Sequence, residues 1–288
     1  MKRRFESILS LAAFYLLGCG AEIDSHGQAP LDAQVISMPD AQHDQGFAVT
    51  AEDKLSSWLR VQVLSGFAEL PAFGLQVSET IGLIRSDLVA TVDGIVAREE
   101  TCFIIVRRPD VDEVQTVIPP AFLNSIPVLD RYVDDTDGAI ALSRAVEIHG
   151  AHLTRPLDES LPETIDDPRL FDQDGDGQPG VTVQIDGILE GDVQLVQRVT
   201  TRVVGERSQT EMWGTVQWTS EENVLSASNP ILSEPIRSEP SQDAQASWFY
   251  AKKQADTWSG CDSVRSNVDG ILDEYRNGAR AYGFEPVP

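Results

Sequence analysis

Short apolar, β-rich runs separated by turn residues recur along this chain, and in one of them apolar and polar side chains alternate at a spacing of two, the pattern of a β-strand with one buried face. Val181, Val183 and Ile185 alternate with Thr182, Gln184 and Asp186. Two β-rich runs, 81–92 and 95–106, flank Asp93-Gly94, a pair suited to a two-residue hairpin because both turn positions take positive φ. Further strands are predicted over 55–64, 139–153, 193–204, 212–219 and 246–255, with turns at 134–138, Glu190-Gly191 and Gly205-Glu206. The 139–153 segment fits neither period cleanly and is read as strand. Ile118-Pro119-Pro120 stops a strand, and 122–128 reads as one short helical turn. Segments 154–180 and 229–242, rich in Pro, read as loops. The period then changes: Cys261, Val264, Val268, Ile271, Leu272 and Tyr275 recur at spacings of three and four. That stripe predicts an amphipathic helix over about 261–277, started by a Ser259 cap and ended by Gly278.

Eight or more short strands followed by a helix predict a mainly β fold, an antiparallel up-and-down barrel or a strongly curved sheet. The layout is similar to that of lipocalin-type barrels, which often tie the C-terminal segment to a barrel strand by a disulfide. The Gly-x-Trp entry motif of that family is absent, since Ser56-Ser57 precede Trp58.

The start of the chain carries a different signal. Met1-Lys2-Arg3-Arg4 is basic, residues 8–17 are apolar, and Leu16-Leu17-Gly18-Cys19 follows. That is the layout of an export signal. The last four residues resemble the lipobox of bacterial lipoproteins. The resemblance implies cleavage before Cys19 and acylation of its thiol and new amino group. Anchors of this kind carry two or three acyl chains, enough for stable attachment. Gly20, where an Asp often retains such proteins in the inner membrane, implies the outer membrane, at its periplasmic face or the cell surface. Residues 20–46 hold few large apolar side chains and read as a flexible acidic linker. The expected organisation is a signal peptide over 1–18, a lipidated tether over 19–50, and a single β-rich domain over 51–288.

The formal charge is −24, and cleavage after Gly18 would remove three basic residues and one acidic one, leaving −26. Such a charge repels nucleic acid and anionic lipid, and suits divalent cations. With 41% hydrophobic residues the chain is too apolar for a disordered acidic polymer. Once Cys19 is spent on lipid, Cys102 and Cys261 form an even pair in an oxidising compartment, which predicts a disulfide.

Asp172-Gln173-Asp174-Gly175-Asp176-Gly177-Gln178 matches the first half of the calcium loop D-x-D-x-D-G. Ca²⁺ takes six to eight hard oxygens, and carboxylates at alternate positions converge on one point where the chain turns sharply. Gly177 permits the turn, and the Gln178 carbonyl stands at position seven. Position twelve, normally a bidentate Glu, is Val183, which shares a strand face with Val181 and Ile185. A structural Ca²⁺ would need a further carboxylate from Asp166, Asp167, Asp186 or Glu190. The plain alternative is a solvated acidic turn. The stretch from Asp167 to Arg169 and from Phe171 to Val183, with 225–230 and Cys261, resembles a family of uncharacterised acidic bacterial lipoproteins, which implies no activity.

Other candidates carry less. His149 and His152 would share a face on a helix but not on a strand, and no H-E-x-x-H or paired Cys supports zinc. No G-x-S-x-G elbow, P-loop or dinucleotide fingerprint occurs. The tryptophans Trp58, Trp213, Trp218, Trp248 and Trp258 read mainly as core and rim residues. The expectation is a non-enzymatic, lipid-anchored envelope protein that binds a hydrophobic small molecule in the barrel or an envelope protein partner. An exported hydrolase acting on glycan or peptide is the alternative, and it predicts two carboxylates with perturbed pKa values in a cleft. An adhesive or structural role is a third reading.

Overall fold

A computed structural model describes residues 54–284, apart from 71–72, 112–113, 235, 255–257 and 259. The export signal, Cys19, the tether and the Ser259 cap therefore lie outside the described residues. The strands are β1 (Lys54–Leu70), β2 (Gly74–Thr91), β3 (Gly94–Arg107), β4 (Val114–Val117), β5 (Leu129–Thr136), β6 (Ala139–His149), β7 (Val181–Gly187), β8 (Gly191–Arg207), β9 (Glu211–Ala227), β10 (Arg237–Pro240) and β11 (Trp248–Gln254). Three helices accompany them: α1 (Pro120–Ser125), α2 (Cys261–Arg265) and α3 (Val268–Arg280).

All strands join one antiparallel sheet. β1, β2, β3, β5, β6, β8, β9 and β11 pair in chain order, and β11 pairs back to β1, so they form a ring of eight. The ring is uneven because three positions in it are interrupted. β4 and β5 both run along β3, β6 and β7 both run along β8, and β10 and β11 both run along β1. Between the two pieces of each position the chain leaves the sheet, over 118–128, 150–180 and 241–247.

The longest excursion leaves and returns at two glycines. His149 pairs with Gln197, and Val181 pairs with Leu195 two residues along. Between them Gly150 (φ +80°) and Gly180 (φ +96°) touch each other and the Leu195 carbonyl. A Cβ on Gly150 would lie 2.6 Å from Gly180 Cα, and one on Gly180 would lie 2.6 Å from Leu195 O. Only glycine combines that backbone angle with that approach. Outside the sheet Leu161 and Ala151 of this excursion bury themselves against Val196 of β8.

β1 explains why strict alternation is blurred in this sequence. Its residues 58–63 are all buried. Leu59, Val61 and Val63 face outward, where Val264, Ile271, Leu272 and Tyr275 of α2 and α3 cover them, while Trp58 and Arg60 face inward. Burying a Leu or Ile in this way contributes about 1.5–3 kcal/mol. The predicted disulfide is present: Cys102 of β3 joins Cys261 at the start of α2.

Several sequence expectations need correction. The C-terminal stripe is two helices broken at Ser266-Asn267, with Gly260 at the N-cap position, and α3 runs through Gly278 to Arg280. Gly278 serves packing instead of termination, since a Cβ there would meet the Tyr250 ring at 2.5 Å. The β2–β3 turn is Val92-Asp93, one residue earlier than expected, because Thr91 pairs with Gly94. The positive-φ Asp-Gly turn occurs at Asp137-Gly138. Strand β5 was hidden within an acidic run, and β8 continues through Gly205-Glu206, where Gly205 pairs with Gly214. The helical turn after Pro119 begins at Pro120, and the 229–242 loop contains both a 3₁₀ turn at Pro230–Ser233 and β10.

Candidate functional site

The interior of the ring is built from alternate residues of every strand. At one end Trp58, Ile140, Leu142, Val203, Val216 and Phe249 form an apolar plug. Beyond it on the same β1 face lies Arg60, 4% exposed. Its guanidinium donates to both oxygens of Glu99, at 2.5 and 3.1 Å. Arg131 of β5 donates to Glu99 at 3.4 Å and to the carbonyls of Ser143 and Thr201 at 2.6 and 3.2 Å. Burial opposes ionisation of Glu99, but the two arginines outweigh it and hold its pKa below the usual value.

Next along the axis is a cavity of about 230 Å³. Leu64, Ile84, Val183, Val193 and Leu195 give it apolar walls, and Gln62, Arg108, Glu147, His149, Trp218 and Glu222 give it polar points. Val183 thus faces the interior with Val181 and Ile185 buried beside it. Burial pushes Glu147 up to about 7 despite attraction from Arg131. Burial likewise raises Glu222 to about 7, although it accepts the Ile236 N–H at 3.1 Å. His149 is pushed down to about 4 by burial alone, packs edge-on against Phe122, and leaves Nδ1 without a partner. Gln62 Oε1 and Arg108 Nε and Nη1 are also unpartnered. This is a small chamber of mixed polarity, the arrangement that suits a small ligand held by few polar contacts.

The aspartate loop stands at the return of the 150–180 excursion, just before β7. Asp172, Asp174 and Asp176 each offer an oxygen, and these lie within 4.8 Å of one another. Asp172 accepts the N–H groups of Gly175, Asp176 and Gly177, and Asp176 accepts that of Gln178. Asp174 Oδ2 accepts the Thr182 N–H at 2.8 Å, while its buried Oδ1 has no partner. Burial and the neighbouring carboxylates raise the Asp174 pKa, as expected where negative groups converge without a counter-charge. The exposed cluster could thus bind a metal ion. Of the further ligands considered, Asp167 is committed to Arg169, at 2.6 and 3.0 Å, and neither Asp166, Asp186 nor Glu190 joins the cluster. Gln173 faces the other way: its Oε1 accepts the Gly150 N–H at 2.7 Å, and its Nε2 donates to Ser125 Oγ of α1 at 3.2 Å.

His149 and His152 do not act together, since His149 lines the cavity and His152 stacks on Phe171 at 4.1 Å. Trp58 and Trp248 are core, Trp213 stacks on Tyr282, Trp258 packs on the outer core, and Trp218 lines the cavity. Sequence reading missed Arg60, Glu99, Arg131, Arg108, Glu147 and Glu222. One signal for them existed: Arg60 and Gln62 share a strand face with Trp58 and Leu64. Compared with known proteins, the chain matches no family model, no curated protein and no solved structure.

Proposed function

We propose that this protein is a lipid-anchored component of a bacterial cell envelope whose ring interior binds a small, largely apolar molecule. The observation that supports it best is the internal chamber of about 230 Å³, apolar on most sides and holding unpartnered polar atoms on Gln62, His149 and Arg108. Buried polar groups without partners cost about 1–3 kcal/mol each, a cost that a matching ligand removes. Lipidation at Cys19 would hold this binding domain at the membrane, most simply the outer one. Ca²⁺ held by Asp172, Asp174 and Asp176, with the Gln178 carbonyl, would fix the chain where it re-enters the sheet at Val181.

The test is saturable binding of an apolar fluorophore such as N-phenyl-1-naphthylamine, compared with Gly82→Leu. Gly82 lines the cavity, and a Cβ there meets nothing closer than 3.8 Å, so the longer side chain fills the chamber without disturbing the strand. One-site binding lost in Gly82→Leu supports the reading, and absence of saturable binding sinks it. The calcium part is tested by thermal melts in EDTA and in millimolar Ca²⁺. A rise in Tm that vanishes in Asp174→Ala is expected, and no rise refutes the metal.

An exported hydrolase is favoured by one observation, the raised pKa values of Glu147 and Glu222 in one cavity. Binding is the better reading because the chamber is small and its walls are largely apolar, with few polar groups to hold a glycan or peptide chain. Release of product from a small chromogenic glycoside, abolished by either Glu→Gln change, would reverse that preference.

A further inference from the structure

Three arginines of this acidic chain are buried, among carboxylates that include Glu99, Glu147 and Glu222. Arg60, Arg108 and Arg131 are 4%, 7% and 2% exposed. Glu99 is spent on Arg60 and Arg131. Arg108, the residue after β3, has no ion-pair partner among the described residues. Among the described residues its one hydrogen bond is from Nη2 to Thr116 Oγ1, at 2.9 Å, and Nε and Nη1 are buried without partners. A buried, half-satisfied guanidinium is costly, and a charge-assisted bond to an anion is what offsets it. Glu222 attracts Arg108 electrostatically but forms no ion pair with it, and Ile236 N occupies its Oε1. Apolar wall begins beside these groups at Ile104, Val106 and Leu232.

We propose that the chamber binds a monoanionic amphiphile, a carboxylate on an apolar chain, with the carboxylate on Arg108 and the chain along the interior wall. This rests on the binding reading above and names its ligand class. A monoanion is preferred to a dianionic phosphate because Arg108 supplies one unit of charge and Glu222 stands beside it. Burial raises the Glu222 pKa to about 7, and below that pH its protonated carboxyl can donate from Oε2 to a bound carboxylate.

The experiment is calorimetric titration of the purified full chain with decanoate, decanol and decyl phosphate, repeated for Arg108→Gln and Arg108→Lys. Circular dichroism melts check that both variants fold. Decanoate is expected to bind at least tenfold more tightly than decanol. Arg108→Gln should lose that margin, and Arg108→Lys should keep part of it. Equal binding of decanoate and decanol, or an unchanged margin in Arg108→Gln, overturns the assignment to Arg108 while the binding reading stands. Tighter binding of decyl phosphate overturns the carboxylate. Failure of all three probes to bind overturns both readings together.

Discussion

Replacing Glu147 by Gln tests the electrostatics of the interior directly. Glu147 lines the cavity on β6, and burial raises its pKa from 4.5 to about 7 even with Arg131 nearby. A carboxyl whose folded pKa lies above its unfolded one holds an extra proton in the native state between the two values. The stability from that proton uptake is complete below about pH 4.5 and is lost as pH rises through about 7. At pH 8 both states are ionised, and the native state bears the whole cost of the buried charge. A shift of this size, at about 1.4 kcal/mol per pKa unit, corresponds to a cost of about 3 kcal/mol. Glutamine has nearly the same shape and no charge. Glu147→Gln should therefore be more stable than the parent by up to about 3 kcal/mol at pH 8 and nearly equal to it at pH 4. Urea denaturation of both proteins at the two pH values measures this, provided their m-values agree. Glu222 and His149 titrate in both proteins and largely cancel in the difference. A gain of the same size at both pH values, or a loss at pH 8, would refute the reasoning.

Three other perturbations have definite outcomes. Glu99→Gln removes the only carboxylate that Arg60 and Arg131 ion-pair with among the described residues, and should cost about 3–5 kcal/mol in denaturant unfolding because it leaves buried charge uncompensated. An Ala scan of α3 glycines should split in sign: Gly278→Ala meets the Tyr250 ring and should lose about 1–3 kcal/mol through overpacking, while Gly270→Ala has open space and should gain up to about 1 kcal/mol in helix propensity. Reducing Cys102–Cys261, which spans 159 residues, should lower stability by about 5 kcal/mol in the chain-entropy model; a melt unchanged by dithiothreitol would show that α2 and α3 hold to the sheet without it.

What the sequence determined was local. The β class followed from alternation, because side chains in a strand point to opposite faces. The disulfide was expected from the even pair Cys102 and Cys261 once Cys19 was set aside, and Cys102–Cys261 is bonded. The amphipathic stripe located the C-terminal helices, and the Asp172–Gln178 spacing located an acidic cluster that could bind a metal ion. Tertiary structure decided everything that depends on which distant residues meet. No local rule says that β6 resumes as β7 after thirty-one residues outside the sheet, since the junction depends on Gly150 and Gly180 closing against Leu195. Nor does alternation tell an inward face from an outward one when both are covered. In β1, Leu59, Val61 and Val63 look like the core face, yet they meet the helices, while the face with Arg60 and Gln62 lines the chamber. The interior charges of Arg60, Glu99, Arg131, Arg108, Glu147 and Glu222 are scattered between residues 60 and 222. Their pairing, their burial and the space left between them exist only once the ring closes.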